Sequence, residues 1–276
     1  MAPLQRVLIH GQCAWAWLAA LTLAAAALLA AGCDAEQSAT ATPWQALDEV
    51  KALLDGDEPV AGRITLDAPS VTQDGSSVAL TVAVDSPMTD ADYVEALHLF
   101  ATRNPAAEVA AFHFTPLAGE ARIATRVRLD QTQTIVALAR TSNGQWLVGT
   151  QQVRVTVSGC LTDGQAPNLE NLMAARVRAP DPLAPGQVGQ VRTLIQHPME
   201  TGLRSDNGQT IPKRIVHSFH AAYDEGPVLT ARLHRAIAAN PYLVFPVTPQ
   251  DSGQLHLRWE EDGGESVDET VPIASR

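Results

Sequence analysis

One thiol in this chain stands where it could do chemistry on other molecules. Residues 153–164 read VRVTVSGCLTDG. Val153, Val155 and Val157 alternate with Arg154 and Thr156, the period of a strand. That strand runs into Ser158, Gly159 and Cys160, with a second turn signal, Thr162-Asp163-Gly164, just beyond. Such residues build exposed turns rather than cores. Three fates are open to the sulfur: burial, a bond to another chain, or reactivity. The turn residues favour a thiolate held in solvent, which attacks sulfur compounds and stores them as readily exchanged S–S bonds.

The other two cysteines, Cys13 and Cys33, belong to the N-terminus, MAPLQRVLIHGQCAWAWLAALTLAAAALLAAGC. A weakly basic start with Arg6 and His10 precedes an apolar run from Ala14 to Ala31 that holds no charge, the pattern of an export signal. Small residues directly before Cys33 resemble a bacterial lipoprotein cleavage box, with Leu29 one place early. On that reading residues 1–32 are removed and Cys33 carries lipid; ordinary cleavage nearby and an uncleaved anchor helix are the alternatives. Asp34 resembles the signal that keeps lipoproteins at the inner membrane, so the expected place is periplasmic and membrane-anchored. Cys13 leaves with the signal and Cys33 is acylated. Cys160 is then left without an intrachain partner in a compartment that permits disulfides.

Lys and Arg number 19 against 30 Asp and Glu, a net charge of -11, and no basic run appears along the sequence, which argues against nucleic-acid binding. Motifs of catalysis are missing: there is no Gly-x-Ser-x-Gly, no phosphate loop, no Cys-x-x-Cys and no His-Glu-x-x-His. His217 and His220 fall in an expected strand, where odd spacing places them on opposite faces and so not on one metal. His197, in IQHPME, reads as a structural histidine. No base is signalled near Cys160, and the chain is expected to be no enzyme, with neither metal nor cofactor.

Several elements must position the thiol. Residues 33–59 read as a tether and a short helix, with Thr42 as N-cap, Pro43 in the first position, Gln45 closing a capping box, an apolar face of Trp44, Leu47, Val50, Leu53 and Leu54, and Gly56 as its end. From residue 60 the period changes to two. Val78, Leu80, Val82 and Val84 share a face; Ile123, Thr125, Val127 and Leu129 oppose Arg122, Ala124, Arg126 and Arg128, the arginines forming a solvated face or a docking patch. Residues 161–175 read as a linker in which Leu169, Leu172 and Met173 make one helical turn. Strands follow near 188–195, 215–221, 228–233, 255–259 and 267–273. The expected fold is all-β: two immunoglobulin-like β-sandwich domains in tandem, 60–160 and 176–276, behind a short N-terminal helix. Neither domain has the Cys-Trp-Cys core of antibody domains.

The first domain, with VDSPMTDADYVEALHLFATRNPAAEVAAFHFTP, TRVRLDQTQTIVALARTSNG and VRVTVSGC, resembles SoxY, the sulfur-carrying subunit of the bacterial thiosulfate-oxidising Sox system. The second, with ARVRAP, VRTLIQHPMETGLRS, IVHSF, ANPYLVF and SGQLHLRWEEDGGES, resembles its partner SoxZ. The resemblance implies a fused SoxYZ carrier whose Cys160 holds sulfur intermediates on a flexible arm that includes Ser158, Gly159 and Leu161. It also implies partner enzymes: a SoxAX-type haem cytochrome that couples thiosulfate to the cysteine, a SoxB-type hydrolase that releases sulfate, and in some systems a SoxCD-type sulfane dehydrogenase. Ser158 and Leu161 stand where the family arm has glycines, the arm is internal rather than terminal, and a lipoprotein signal replaces the twin-arginine one. With the strand ending at Val157, the sulfur could stand roughly 10 Å beyond it. The two domains are expected to pair within one chain, with a dimer of chains or a Cys160–Cys160 disulfide open. The alternative function is a lipid-anchored interaction or donor module of another periplasmic redox system, such as one built on a quinoprotein dehydrogenase.

Overall fold

Period-two alternation organises this chain into two long sheets that face each other across one core. The computed structural model describes residues 42–158, 171–206, 208–224 and 226–276. The expectations for the signal segment, Cys33, Gly159, Cys160, Leu161 and Leu169 lie outside these residues.

The larger sheet holds, in spatial order, β1 (Val60–Ala61), β9 (Trp146–Val155), β8 (Gln133–Thr141), β5 (Val94–Ala101), β6 (Glu108–Phe114), β15 (Gly226–Leu233), β14 (Val216–Tyr223), β17 (Gly253–Glu261) and β18 (Ser266–Ile273), with β3 (Val71–Thr72) added beside β9. The smaller holds β10 (Ala175–Arg178), β11 (Gly189–Ile195), β16 (Tyr242–Val247), β7 (Ala121–Val127), β4 (Val78–Val84) and β2 (Ile64–Asp67). A ribbon of β12 (Ser205–Asp206) and β13 (Gln209–Thr210) stands apart.

The all-β expectation holds, and the structure adds how the two halves meet. β6 of the first half pairs antiparallel with β15 of the second, from Phe114 opposite Leu229 to Ala110 opposite Leu233. In the other sheet β7 meets β16 at Ala124 opposite Val244. Both sheets therefore run through both halves, and each half covers edges that the other would leave open. The inward residues form a single core: Val82, Phe112 and Ile123 from the first half, Phe219, Phe245 and Trp259 from the second, all at most 1% exposed. The side chains of the two sheets interdigitate along that core.

The N-terminal helix begins as a 3-10 turn, Pro43–Ala46, and continues as α1 (Asp48–Leu54). The Gln45 side chain accepts from the Thr42 N–H at 3.2 Å, the half of the capping box that the sequence signals. Asp55 takes the left-handed conformation (φ 47°) one residue before the expected stop at Gly56 (φ 95°). Leu47, Val50 and Leu54 bury themselves against Phe100, Val136, Leu138, Trp146 and Val148 on the outer face of the larger sheet. The helix is thus a third layer over the first half. Of the segment expected to make one helical turn, the described part, residues 171–173, is a non-helical turn with Asn171 (φ 63°) and Met173 (φ 61°) left-handed.

Candidate functional site

The strand that leads to Cys160 is fixed further along than its ladder. β9 points Leu147 and Val153 into the core and pairs with β8 from Arg140 opposite Trp146 to Gln133 opposite Val153. Past Val155 the chain is still bonded. Thr156 donates from its N–H and its hydroxyl to the Thr72 carbonyl at 3.1 and 3.2 Å, and the Val157 carbonyl accepts from the Gly75 N–H at 2.9 Å. The Gln73-Asp74-Gly75 turn that makes this possible is local chemistry: Asp74 Oδ1 accepts from the Ser76 N–H at 2.8 Å, an Asx turn. Finally the Ser158 hydroxyl donates to Asp130 Oδ1, and Ser158 is only partly exposed.

Ser158 therefore belongs to the root of the arm rather than to its free part. Val157 and Val71 flank this root, each 52% exposed, and are two of the three large apolar side chains left in solvent among the described residues.

The support beneath Asp130 reaches into the second half. The Asp130 N–H donates to Asn104 Oδ1 at 2.9 Å, which also accepts from Gln133 Nε2 at 2.8 Å, while Asn104 Nδ2 donates to the Arg128 carbonyl at 2.9 Å. Leu129 donates to the Gly75 carbonyl at 2.8 Å, so one turn residue holds both the arm and the segment beneath it. The Arg128 side chain then leaves for the other half, where its guanidinium donates to the carbonyls of Pro198 (3.0 Å), Met199 and Arg235 (3.3 Å). The expected row of three solvated arginines is corrected here: Arg122 and Arg126 are exposed, but Arg128 is half-buried and is a strut. Arg128 to Asp130 thus links the arm root on one side to the His197-Pro198-Met199 segment on the other.

That segment holds a buried polar centre. His197 is 1% exposed; its Nδ1 accepts from the Met199 N–H at 3.0 Å, and its backbone exchanges bonds with Asn240. With Nδ1 an acceptor, the neutral ring carries its proton on Nε2, which faces Glu261 Oε2 at 3.6 Å and has no hydrogen-bond partner among the described residues. Burial pushes the His197 imidazole below its usual range, against the pull of Glu261. Glu261, 2% exposed, takes a forked pair of bonds from Arg214 Nε (2.9 Å) and Nη2 (3.2 Å), and that guanidinium holds its carboxyl below the usual range. His197 is a structural histidine, as its sequence suggests, but its setting comes from residues far away in the chain.

His217 and His220 require a second correction. A bulge between Val216 and Ser218 shifts the alternation, so Val216 and Phe219, three apart, are both fully buried, whereas His217 and His220 both lie off the core. Glu260, held below the ordinary carboxylate range chiefly by its bond from Arg258, feels both histidines. Among the described residues no group of three or more His, Cys, Asp or Glu side chains comes together as a metal site.

The Ser158–Asp130 bond gives a first test of the arm root. Replacing Asp130 with Ala removes a charged acceptor worth about 1 kcal/mol at a half-buried site, so local opening becomes about fivefold more frequent. Hydrogen–deuterium exchange over residues 156–158 should quicken by that factor while exchange in β4 is unchanged. Unaltered exchange at the root would show that the bond does not restrain it.

The family model for sulfur oxidation protein SoxY matches residues 50–160, and that for sulphur oxidation protein SoxZ matches residues 177–272. Among solved structures, the sulfur carrier protein SoxY from Chlorobium limicola f thiosulfatophilum is 24% identical over 41% of this chain and 98% of its own, with a TM-score of 0.35. A putative superoxide reductase from Thermotoga maritima is 21% identical over 36% of this chain and 87% of its own, with a TM-score of 0.30. The superoxide reductase (neelaredoxin) from Ignicoccus hospitalis is 13% identical over 34% of this chain and 80% of its own, with a TM-score of 0.32. Comparison with curated proteins gives no match.

Proposed function

This chain is a fused SoxYZ protein, a SoxY domain followed by a SoxZ domain, and from that premise we propose that it is a periplasmic sulfur carrier that holds thiosulfate-derived intermediates covalently on Cys160. Membership of the Sox sulfur-oxidation system brings with it interaction with other Sox proteins. The finer reading names a SoxAX-type cytochrome, a SoxB-type hydrolase and, where the sulfane sulfur is oxidised in place, a SoxCD-type dehydrogenase as the enzymes that visit the arm. The observation that carries it is the clasp: β9 is bonded as far as Ser158, and the only cysteine beyond the N-terminal segment follows two residues later.

The chemistry balances without a catalytic group on this chain. The Cys160 thiolate and one sulfane sulfur of thiosulfate join in an S–S bond, and two electrons pass to the haem cytochrome. Water then cleaves the bond between sulfane sulfur and sulfonate, releasing sulfate and two protons and leaving a persulfide on the cysteine. Gly159 adds no side chain to hinder approach. A fixed root sets the direction from which the thiol is offered, and a fixed base beside it is not needed because the visiting enzymes supply the catalysis.

Intact mass tests this. After incubation with thiosulfate and the haem cytochrome, the protein should gain one thiosulfate moiety, reduced to one sulfur atom after the hydrolase acts, and the Cys160→Ser variant should gain nothing. Adducts on the serine variant, or none on the parent protein, would overturn the reading. The same spectrum reads the anchor: export as a lipoprotein predicts loss of residues 1–32 and acyl mass on Cys33, and an unacylated N-terminus would refute it.

A further inference from the structure

Five arginines that are scattered through the sequence meet on one surface. Outward positions of the smaller sheet carry Arg122 and Arg126 on β7, Arg192 on β11, and Arg176 and Arg178 on β10, all exposed, while their strand neighbours Ile123, Val127, Val191 and Ile195 are buried. β16 lies between the two groups, with Val244 opposite both Arg192 and Ala124. Arg122 and Arg192 line one shallow depression of about 170 Å³, floored by Tyr242, Val244 and Pro246, and the Arg126 guanidinium stands over the Tyr242 ring at 5.3 Å. None of the five forms an ion pair among the described residues, and the acidic side chain of this sheet, Asp67, sits on the far edge strand β2.

In a chain of net charge -11 this face is not what solubility alone would leave. Arg178 lies directly opposite Arg192 in the β10–β11 ladder, and like charges so placed weaken a strand pair. A sheet that keeps such a pair, with no carboxylate set between, is suited to an external partner of opposite charge. The face also adjoins the arm. Arg126 lies near the end of β7, four residues before Asp130, and Arg176 lies three residues after Met173 on β10.

We propose that the outer face of the smaller sheet is the docking surface for an acidic face of the enzymes that load and strip Cys160. This rests on the carrier reading and adds to it the chemistry of the partner's surface. An anionic bilayer is the other anion at hand, but the chain enters the folded unit through Thr42 and α1 on the outer face of the larger sheet. The outer faces of the two sheets look away from each other, so the face on which the described chain begins is not the face of the arginines.

The test compares the parent protein with a triple variant, Arg122→Gln, Arg126→Gln and Arg192→Gln. Loading by the SoxAX-type cytochrome, as kcat/KM, should fall tenfold or more at low ionic strength, and the gap should close as salt rises toward about 0.5 M. Alkylation of Cys160 by iodoacetamide should match the parent and the melting temperature should be no lower, since Arg192→Gln relieves the repulsion with Arg178, which separates docking from damage. Equal loading of variant and parent at low salt overturns the proposal while leaving the carrier reading intact. So does binding of the parent, but not the variant, to phosphatidylglycerol vesicles with loading unaffected. If the parent is not loaded at all, the carrier reading fails, and direct binding of the two proteins to immobilised cytochrome still decides the surface: a tenfold weaker variant supports it, equal binding refutes it.

Discussion

Arg214→Leu should destabilise the protein by about 3–5 kcal/mol, more than removal of the carboxylate it serves. The two partners are unequally placed: the Glu261 side chain is fully buried, while the Arg214 side chain is 35% exposed. Without Glu261, the guanidinium still reaches water and Glu265, which lies 3.6 Å away. Without Arg214, a buried carboxylate keeps only the Gly263 N–H and the His197 ring that faces it at 3.6 Å. That ring offers the escape route. Taking up a proton would convert His197 and Glu261 into a buried ion pair, so in the variant the imidazole pKa rises above its unfolded value.

The sign of His197's own contribution then reverses, while His98 and His234, both depressed by burial, contribute alike in parent and variant. In the parent protein burial depresses His197, so the unfolded state binds more protons and stability is lost as pH falls below the ordinary imidazole range near 6.5. In Arg214→Leu the raised His197 contributes stability at acid pH that is lost as pH rises through its folded pKa. Urea midpoints at about pH 5.5 and about pH 8 check this. The double variant Arg214→Leu, Glu261→Leu should recover a large part of the loss, since neither charge is then stranded. The destabilisation, parent minus variant, should be larger at about pH 8 than at about pH 5.5; a loss under about 1 kcal/mol, or one equal at the two pH values, would mean that Glu261 finds water or another donor.

What could be read beforehand divides along a physical line. Features that depend on neighbours in sequence are legible: the alternation of β4 and β7, the cap at Thr42 and Gln45, and the apolar face of α1. Features that depend on which strands become neighbours are not. Arg122, Arg126 and Arg128 read as one row, a solvated face or a docking patch, because nothing local reveals that β16 will bring Arg192 beside two of them or that Arg128 ends against Pro198. His197, just past the end of β11, and Glu261, at the end of β17, are far apart in the chain, and nothing local foretells that they meet. The bulge at Val216 defeats strict alternation for His217 and His220, and a bulge has no composition of its own. Ser158 reads from its residue type as part of the arm, since its acceptor, Asp130, comes from another loop.

Cutting the chain within residues 161–170, at an inserted protease site, should leave the two halves together. Independent tandem sandwiches would part once the linker is cut, but here β6 and β15 share a ladder five residue pairs long and one core runs under both halves. The linker holds the halves at an effective concentration of roughly millimolar, so cutting it removes that advantage without touching a contact. The nicked protein should elute as one species at micromolar concentration, with a melting temperature that now rises with protein concentration. The first half expressed alone should fare worse, because β6 becomes a bare edge and Phe112 and Phe114 lose the strand that shields them. Two separate peaks after cleavage, or a soluble first half that melts like the whole, would show that the shared sheets contribute little. If the nicked halves stay joined, Arg128 still braces the arm root against Pro198 and Met199, and the cysteine is presented from the same base whether the polypeptide is one chain or two.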